Sequence, residues 1–407
     1  MDWSLAIIAL AVLAVASVSG RIAGTPLTPA ILFVLIGVLV GPRVLSEVDL
    51  SSSGSTVRAL AEATLALVLF TDASRINLRG LRTNASVPAR LLGIGLPLTI
   101  ALGALAATAV FGQISIEEAV IIGVVLAPTD AALGQAVVTN PRVPARIRQG
   151  LNVESGLNDG ICVPLLFIAV AAADVHSELA GGRGATALVA EEIGYGILGG
   201  VIAGSVVAAI IRFAEPRRLI GDAWLPVISA AGAALAYGIA AGLDGSGFIA
   251  AFVAGGVFGG MLGRDPTEVN RLVEEVGSVL SGVTFLLFGA ILLGPALGQA
   301  SWRLALYAAL SLTVVRMLPV AIAMLGTRAR PATLAFMGWF GPRGLASIVF
   351  AVIVVEESQL PHQQTILLAI YLTVGLSILL HGLTAAPLAN RYGRWYGARL
   401  RSKGSRA

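Results

Sequence analysis

Cysteine, histidine and lysine are almost missing from this chain. The single cysteine, Cys162, excludes an internal disulfide, and His176, His362 and His381 are scattered without metal-ligand spacing. Both observations argue against a redox or zinc enzyme. Charge is scarce too: 12% of the 407 residues are charged and 57% hydrophobic, with a mean hydropathy of +0.88. That composition lies outside the range of soluble domains.

Apolar runs of about 18 to 25 residues, each able to cross about 30 Å of hydrocarbon, recur between Ser4 and Pro387. No polar interval among them is large enough for a soluble domain, so the reading is one polytopic, all-α membrane domain over residues 1–390 and a short basic tail over 391–407. The first run, Leu5 to Val18, follows Asp2 and no basic residue, which suits a first helix better than a signal peptide. The net charge of +4 does not point to nucleic acid, because the basic residues are spread over short loops. Membrane topology accounts for them. All but Lys403 are arginine, a compositional bias.

Breaking the chain at polar and Pro/Gly-rich intervals predicts about thirteen spans. With the N-terminus outside and the C-terminus cytoplasmic, 21 of the 27 basic residues fall on the cytoplasmic side, against Arg43, Arg183 and Arg303 outside. Arg58, Arg316 and Arg343 lie within spans. Thirteen spans divide as six, a linker and six, which makes two inverted repeats the natural architecture. The fifth span of each unit carries a proline-centred interruption, Ala127-Pro128-Thr129-Asp130 in one and Gly341-Pro342-Arg343-Gly344 in the other. Proline lacks an N–H and disfavours helix at the preceding residue, so each break exposes backbone groups that only protein or a water-filled cavity can satisfy.

Most acidic residues, including Asp49, Glu117 and Glu118, fall in loops or at span ends and read as solvated. Asp130, Glu154 and Asp159 lie deep in spans, where an unpaired charge costs at least about 2.5 kcal/mol. In the stretch LNVESGLNDG, residues 151–160, a helix puts Glu154, Ser155, Asn158 and Asp159 within an arc of about 140°. Gly156 and Gly160 flank that face and allow close approach, expected from the break at Thr129 and Asp130. Carboxylates, a hydroxyl, an amide oxygen and freed carbonyls are the hard oxygen ligands of a dehydrated alkali cation. Arg343 is a permanent cation that needs a partner, and Glu154 is the expected one. Asp159 is then left to hold either a proton or a cation. Glu62 and Arg58 are four apart and read as a helix pair, Arg316 reads as a packing or carbonyl-binding charge, and Asp72 has no assigned part.

These residues resemble a known family. Pro128-Thr129-Asp130, then Glu154 to Gly160, then Gly341 to Gly344 are similar to the monovalent cation:proton antiporters, specifically the bacterial sodium/proton antiporters with an Asn-Asp pair. The resemblance implies no cofactor beyond the transported ions. It implies a homodimer in the inner membrane, whose core bundle, including residues 87–174 and 303–389, moves as an elevator against the remaining helices. It makes Asp159 the carrier, with Asp130, Ser155 and the Thr129 backbone as ion ligands and Asn158 steadying the network. Asn158, and the absence of lysine from every span, place the chain in the electroneutral branch. Where many relatives read Thr-Asp-Pro, Ala131 follows Asp130 here and the proline precedes it at Pro128. Sodium, lithium and potassium are not separated by the ligands, so a potassium/proton antiporter is the alternative on the same fold. A rival from another class, an intramembrane aspartyl protease using Asp130 and Asp159 as a dyad, would have no need of Arg343 in a matching break.

Overall fold

A computed structural model describes residues 4–22, 24–41, 54–75, 86–173, 185–263, 266–327, 329–357 and 359–404. Asp2, Arg43, Asp49, His176 and Arg183 lie outside the described residues, as do the side chains of Arg58 and Lys403. The described residues form helices and connections without strands. In order these are α1 (Ser4–Ile22), α2 (Pro29–Val40), α3 (Gly54–Ser74), α4 (Ser86–Phe111), α5 (Ile116–Val125), α6 (Gln135–Val138), α7 (Ala145–Ala173), α8 (Ala185–Ala214), α9 (Leu225–Ala241) and α10 (Gly247–Leu262). Then come α11 (Thr267–Leu297), α12 (Trp302–Leu312), α13 (Val314–Ala323), α14 (Pro331–Trp339), α15 (Leu345–Glu357) and α16 (Gln363–Gly404).

Counting α5 with α6, α12 with α13 and α14 with α15 as single interrupted passages gives thirteen among the described residues, as the charge alternation expects. Among the described residues, seven passages, α12 with α13 counted as one, are long and apolar enough to span a bilayer by themselves. Large apolar side chains face outward where a bilayer would lie, with Leu5 79% and Leu13 67% exposed on α1. This is the reverse of a soluble core and follows from lipid being as apolar as leucine.

Local chemistry sets the helix ends. Thr28 caps α2 through the Ile31 N–H, with Pro29 in the first turn where its missing donor costs nothing. Ser115 and Glu118 form a reciprocal capping box at the start of α5, Ser115 N donating to Glu118 Oε2 at 2.9 Å and Glu118 N to Ser115 Oγ at 3.1 Å. Glu118 also accepts from His362 N at 2.9 Å and is 2% exposed, so it is a buried staple between α5 and α16 and not the solvated charge its position suggests. In α4 and α11, π-helical turns at Leu91–Gly95 and Phe288–Leu293 precede Pro97 and Pro295. A proline removes one N–H from the ladder and loosens the turn before it.

Three apolar clusters hold the passages together. The largest joins α2, α4, α5, α7, α11, α15 and α16. A second, with Phe70, Val207, Ala233 and Phe258, joins α3 to α8, α9 and α10. The third gathers α4, α7, α14 and the far end of α16, where Tyr392 stacks on Phe336 at 4.1 Å between ring centroids. Residues 391–404 continue α16 without a break, and Tyr392, Trp395 and Tyr396 pack in this third cluster. At the α4/α5 crossing, Gly103 and Gly123 meet, and a Cβ at 123 would lie 2.5 Å from the Ile100 carbonyl oxygen and 3.2 Å from Ala104 N. Gly123→Ala should therefore cost about 1–3 kcal/mol of stability through overpacking, measured as a lower melting temperature in detergent.

Candidate cation site

The two sequence breaks meet. Asp130 N donates to Pro342 O at 2.8 Å, and Ser347 Oγ donates to Val125 O at 2.7 Å. The residues between α5 and α6 thus cross those between α14 and α15, each break satisfying backbone groups the other exposes. Gly344 is where they touch most closely: a Cβ there would lie 2.7 Å from Asp130 Cγ. The Asp130 carboxylate accepts from Leu345 N at 3.0 Å, Ala132 N at 2.8 Å and Leu133 N at 3.3 Å. It therefore caps α15 and sits at the positive end of that helix.

The polar face of α7 docks on the first break. Ser155 Oγ donates to Thr129 O, Asn158 Nδ2 donates to Thr129 Oγ1 at 2.9 Å, and Thr129 N donates back to Asn158 Oδ1 at 3.3 Å. The two flanking glycines do something other than expected. Gly156 packs against Asp72 of α3, where a Cβ would come 3.3 Å from Asp72 Cβ, and Gly160 against the Phe252 ring of α10. The break lies on the Ser155 and Asn158 side of the helix, whereas the glycines turn toward α3 and α10.

The Glu154 partner is a correction. Glu154 is held by Arg316, not Arg343: Arg316 Nη1 lies 2.5 Å from Oε1 and Nη2 2.8 Å from Oε2, with both side chains 3% exposed. The eleventh passage bends at Thr313 (φ −114°, ψ −89°), which aims α13 and Arg316 inward. Gly341 leaves room for the guanidinium; a Cβ there would lie 2.8 Å from Arg316 Cζ. Pro319 inside α13 frees the Val315 carbonyl and marks the passage as irregular in sequence, but the bend itself lies six residues earlier, at Thr313. Arg343 takes the role first given to Arg316, donating through Nη1 to Gly341 O at 3.0 Å, Ala127 O at 3.3 Å and Pro128 O at 3.5 Å. Carbonyls freed at helix C-termini carry partial negative charge and accept this cation without a carboxylate.

With Glu154 paired and Asp130 capping, Asp159 is left as the uncompensated carboxylate. It is 8% exposed, and its buried Oδ1 accepts no hydrogen bond from the described residues. It lines a cavity of about 470 Å³ together with Asp130, Asp72, Thr71, Arg75 and Asn152. Asp72 is the residue that sequence reasoning missed; its one clue was Gly156, the small residue that lets α3 come close. Arg75 and Glu274, an ion pair between α3 and α11, line the same cavity. Glu62 accepts from Tyr237 Oη at 2.9 Å, away from the cavity lining.

Crossed half-helices around a buried carboxylate define a polytopic membrane transporter and not a protease dyad, since both Asp130 oxygens are held by backbone amides. Residues 7–391 match the model of the family described as sodium/hydrogen exchanger, transmembrane, and the chain belongs to that family, one of secondary transporters and not enzymes. It is 22% identical over 93% of its length to the K(+)/H(+) antiporter NhaP of Alkalimonas amylolytica, of which it spans 63%. It is 28% identical to Na(+)/H(+) antiporter 2 of Zygosaccharomyces rouxii over 62% of this chain, and spans 33% of that protein. The fold is similar to that of the sodium proton antiporter MjNhaP1 from Methanocaldococcus jannaschii at pH 8, with a TM-score of 0.78 at 19% identity, covering 96% of this chain and 98% of the other.

Proposed function

We propose that the chain exchanges a monovalent cation, sodium first, for a proton, one for one, and that both compete for Asp159. The observation that carries the reading is the uncompensated Asp159 carboxylate at the cavity lining, beside oxygens fixed by crossed half-helices. Thr129 O, Ser155 Oγ and Asp130 are the further ligands. Here the Ser155 hydroxyl donates to Thr129 O; turning that hydrogen away offers both oxygens to a cation. One carboxylate that trades one proton for one monovalent ion moves no net charge, which supports electroneutral exchange.

Residues 87–174 and 303–389 would move as the core against the remaining helices, within a homodimer in the inner membrane. The N-terminus lies outside and the far end of α16 in the cytoplasm, which makes the cavity beside Arg75 face the cytoplasm. Potassium is the second reading for the cargo, favoured by the likeness to the K(+)/H(+) antiporter NhaP.

The test is internal pH in acid-loaded proteoliposomes pulsed with sodium, lithium or potassium while valinomycin and potassium set the membrane potential. Alkalinisation on adding sodium, at a rate the potential does not change, is the expected result. A response to potassium alone would reassign the cargo, and silence with all three would remove the antiport reading.

A further inference from the structure

His381 has no part in the site as described, yet it is 1% exposed and both its ring nitrogens are engaged. Nε2 lies 2.9 Å from the carbonyl oxygen of Trp339, the last residue of α14. The Trp339 carbonyl can only accept and is the partner given for Nε2, so Nε2 carries the hydrogen of the neutral ring. Nδ1 then has a lone pair, and of the two Ser377 oxygens beside it, the carbonyl at 3.0 Å and the hydroxyl at 3.1 Å, only the hydroxyl can donate to it. Ser377 Oγ in turn accepts from Arg343 N at 2.7 Å. The bonds run in one direction, from Arg343 N–H through Ser377 and His381 to Trp339 O. They close a loop across the second break, tying its last irregular turn to the helix end before it. The Trp339 indole covers the imidazole at 5.1 Å between centroids, and its Nε1 donates to Thr384 at 3.0 Å. Ser377, His381 and Thr384 thus present one face of α16 to the break, at helical spacing.

The loop reaches further than the second break. Arg343, whose backbone it anchors, holds the carbonyls of Ala127 and Pro128, immediately before Thr129. Thr129 in turn meets Ser155 and Asn158 beside Asp159. We propose that His381 and Ser377 are positioning residues for the transported cation: through Arg343 they set where the Thr129 carbonyl stands relative to Asp159. This rests on the antiport reading of that carboxylate. Imidazole suits the place because it accepts at one nitrogen and donates at the other. A glutamine reaches only the Nε2 position and an asparagine only the Nδ1 position.

The experiment measures initial exchange rates against cation concentration in proteoliposomes for the full chain and for Ser377→Ala, His381→Gln, His381→Asn and the double variant Ser377→Ala/His381→Gln. Melting temperatures of the same preparations are recorded alongside. Ser377→Ala and His381→Gln cut the chain on the Arg343 side and should each raise the apparent KM about fivefold to tenfold, the worth of one buried hydrogen bond, with the maximal rate little changed. His381→Asn keeps an acceptor for Ser377 and should restore a KM near that of the parent chain. The double variant should be no worse than either single, because both remove the same link. Variants that melt lower with an unchanged KM, or effects that add in the double, would overturn the proposal. If a histidine variant does not accumulate, the KM of Ser377→Ala decides alone. A parent chain inactive with sodium, lithium and potassium would instead remove the antiport reading, a result distinct from an active parent with unmoved variants.

Discussion

Asp159→Asn is expected to abolish cation-driven proton movement while leaving the protein folded. Asparagine has the shape of aspartate but neither titrates nor carries charge, so it removes the competition between proton and cation without opening a cavity. Asp159 makes no hydrogen bond through Oδ1 that the fold would miss, and losing an unpaired buried charge relieves desolvation. The melting temperature should therefore stay level or rise, while internal pH in proteoliposomes responds to a cation pulse no faster than in protein-free vesicles. Competition also fixes a sign. Where Asp159 is mostly protonated, the apparent KM for the cation should rise in proportion to proton concentration, and the maximal rate at saturating cation should not fall with it. An Asp159→Asn protein that still exchanges at the parent rate would move the carrier elsewhere in the cavity, with Asp72 the first residue to replace.

Much of this site was legible in the sequence, for reasons that are local. Pro128 and Pro342 mark the breaks because proline chemistry acts on the neighbouring turn. Glu154, Ser155, Asn158 and Asp159 share a face because helical periodicity is fixed, and arginine alternation between loops counts the passages because charge resists crossing a bilayer. What depended on which helix crosses which was not legible. Asp72 reaches the cavity only because α3 packs on Gly156. Glu118 looked solvated from its place at a span end, although Ser115 three residues before it spelled out a capping box. Arg316 and Arg343 both lie within spans, and composition does not say which of them meets Glu154. A bend at Thr313, six residues ahead of Pro319, chose Arg316.

That choice has the second large consequence. Glu154 and Arg316 form a two-pronged, almost fully buried ion pair, so removing either partner leaves a full charge with no counterion and little water. Glu154→Gln and Arg316→Gln are each expected to cost about 3–5 kcal/mol, a large share of the about 5–15 kcal/mol that separates folded from unfolded states in typical proteins. Each single variant should melt many degrees lower or fail to accumulate. The double variant Glu154→Gln/Arg316→Gln strands no charge and keeps polar groups in contact, so it should recover most of the loss. That recovery is a coupling energy, and it belongs to the pair in contact. Pairing Glu154→Gln with Arg343→Gln should show no such recovery, because Arg343 is held through Nη1 by the carbonyls of Ala127, Pro128 and Gly341 and not by the Glu154 carboxylate. Recovery in the Arg343 double and none in the Arg316 double would restore the pairing that the sequence alone suggested, and with it a different charge balance around Asp159.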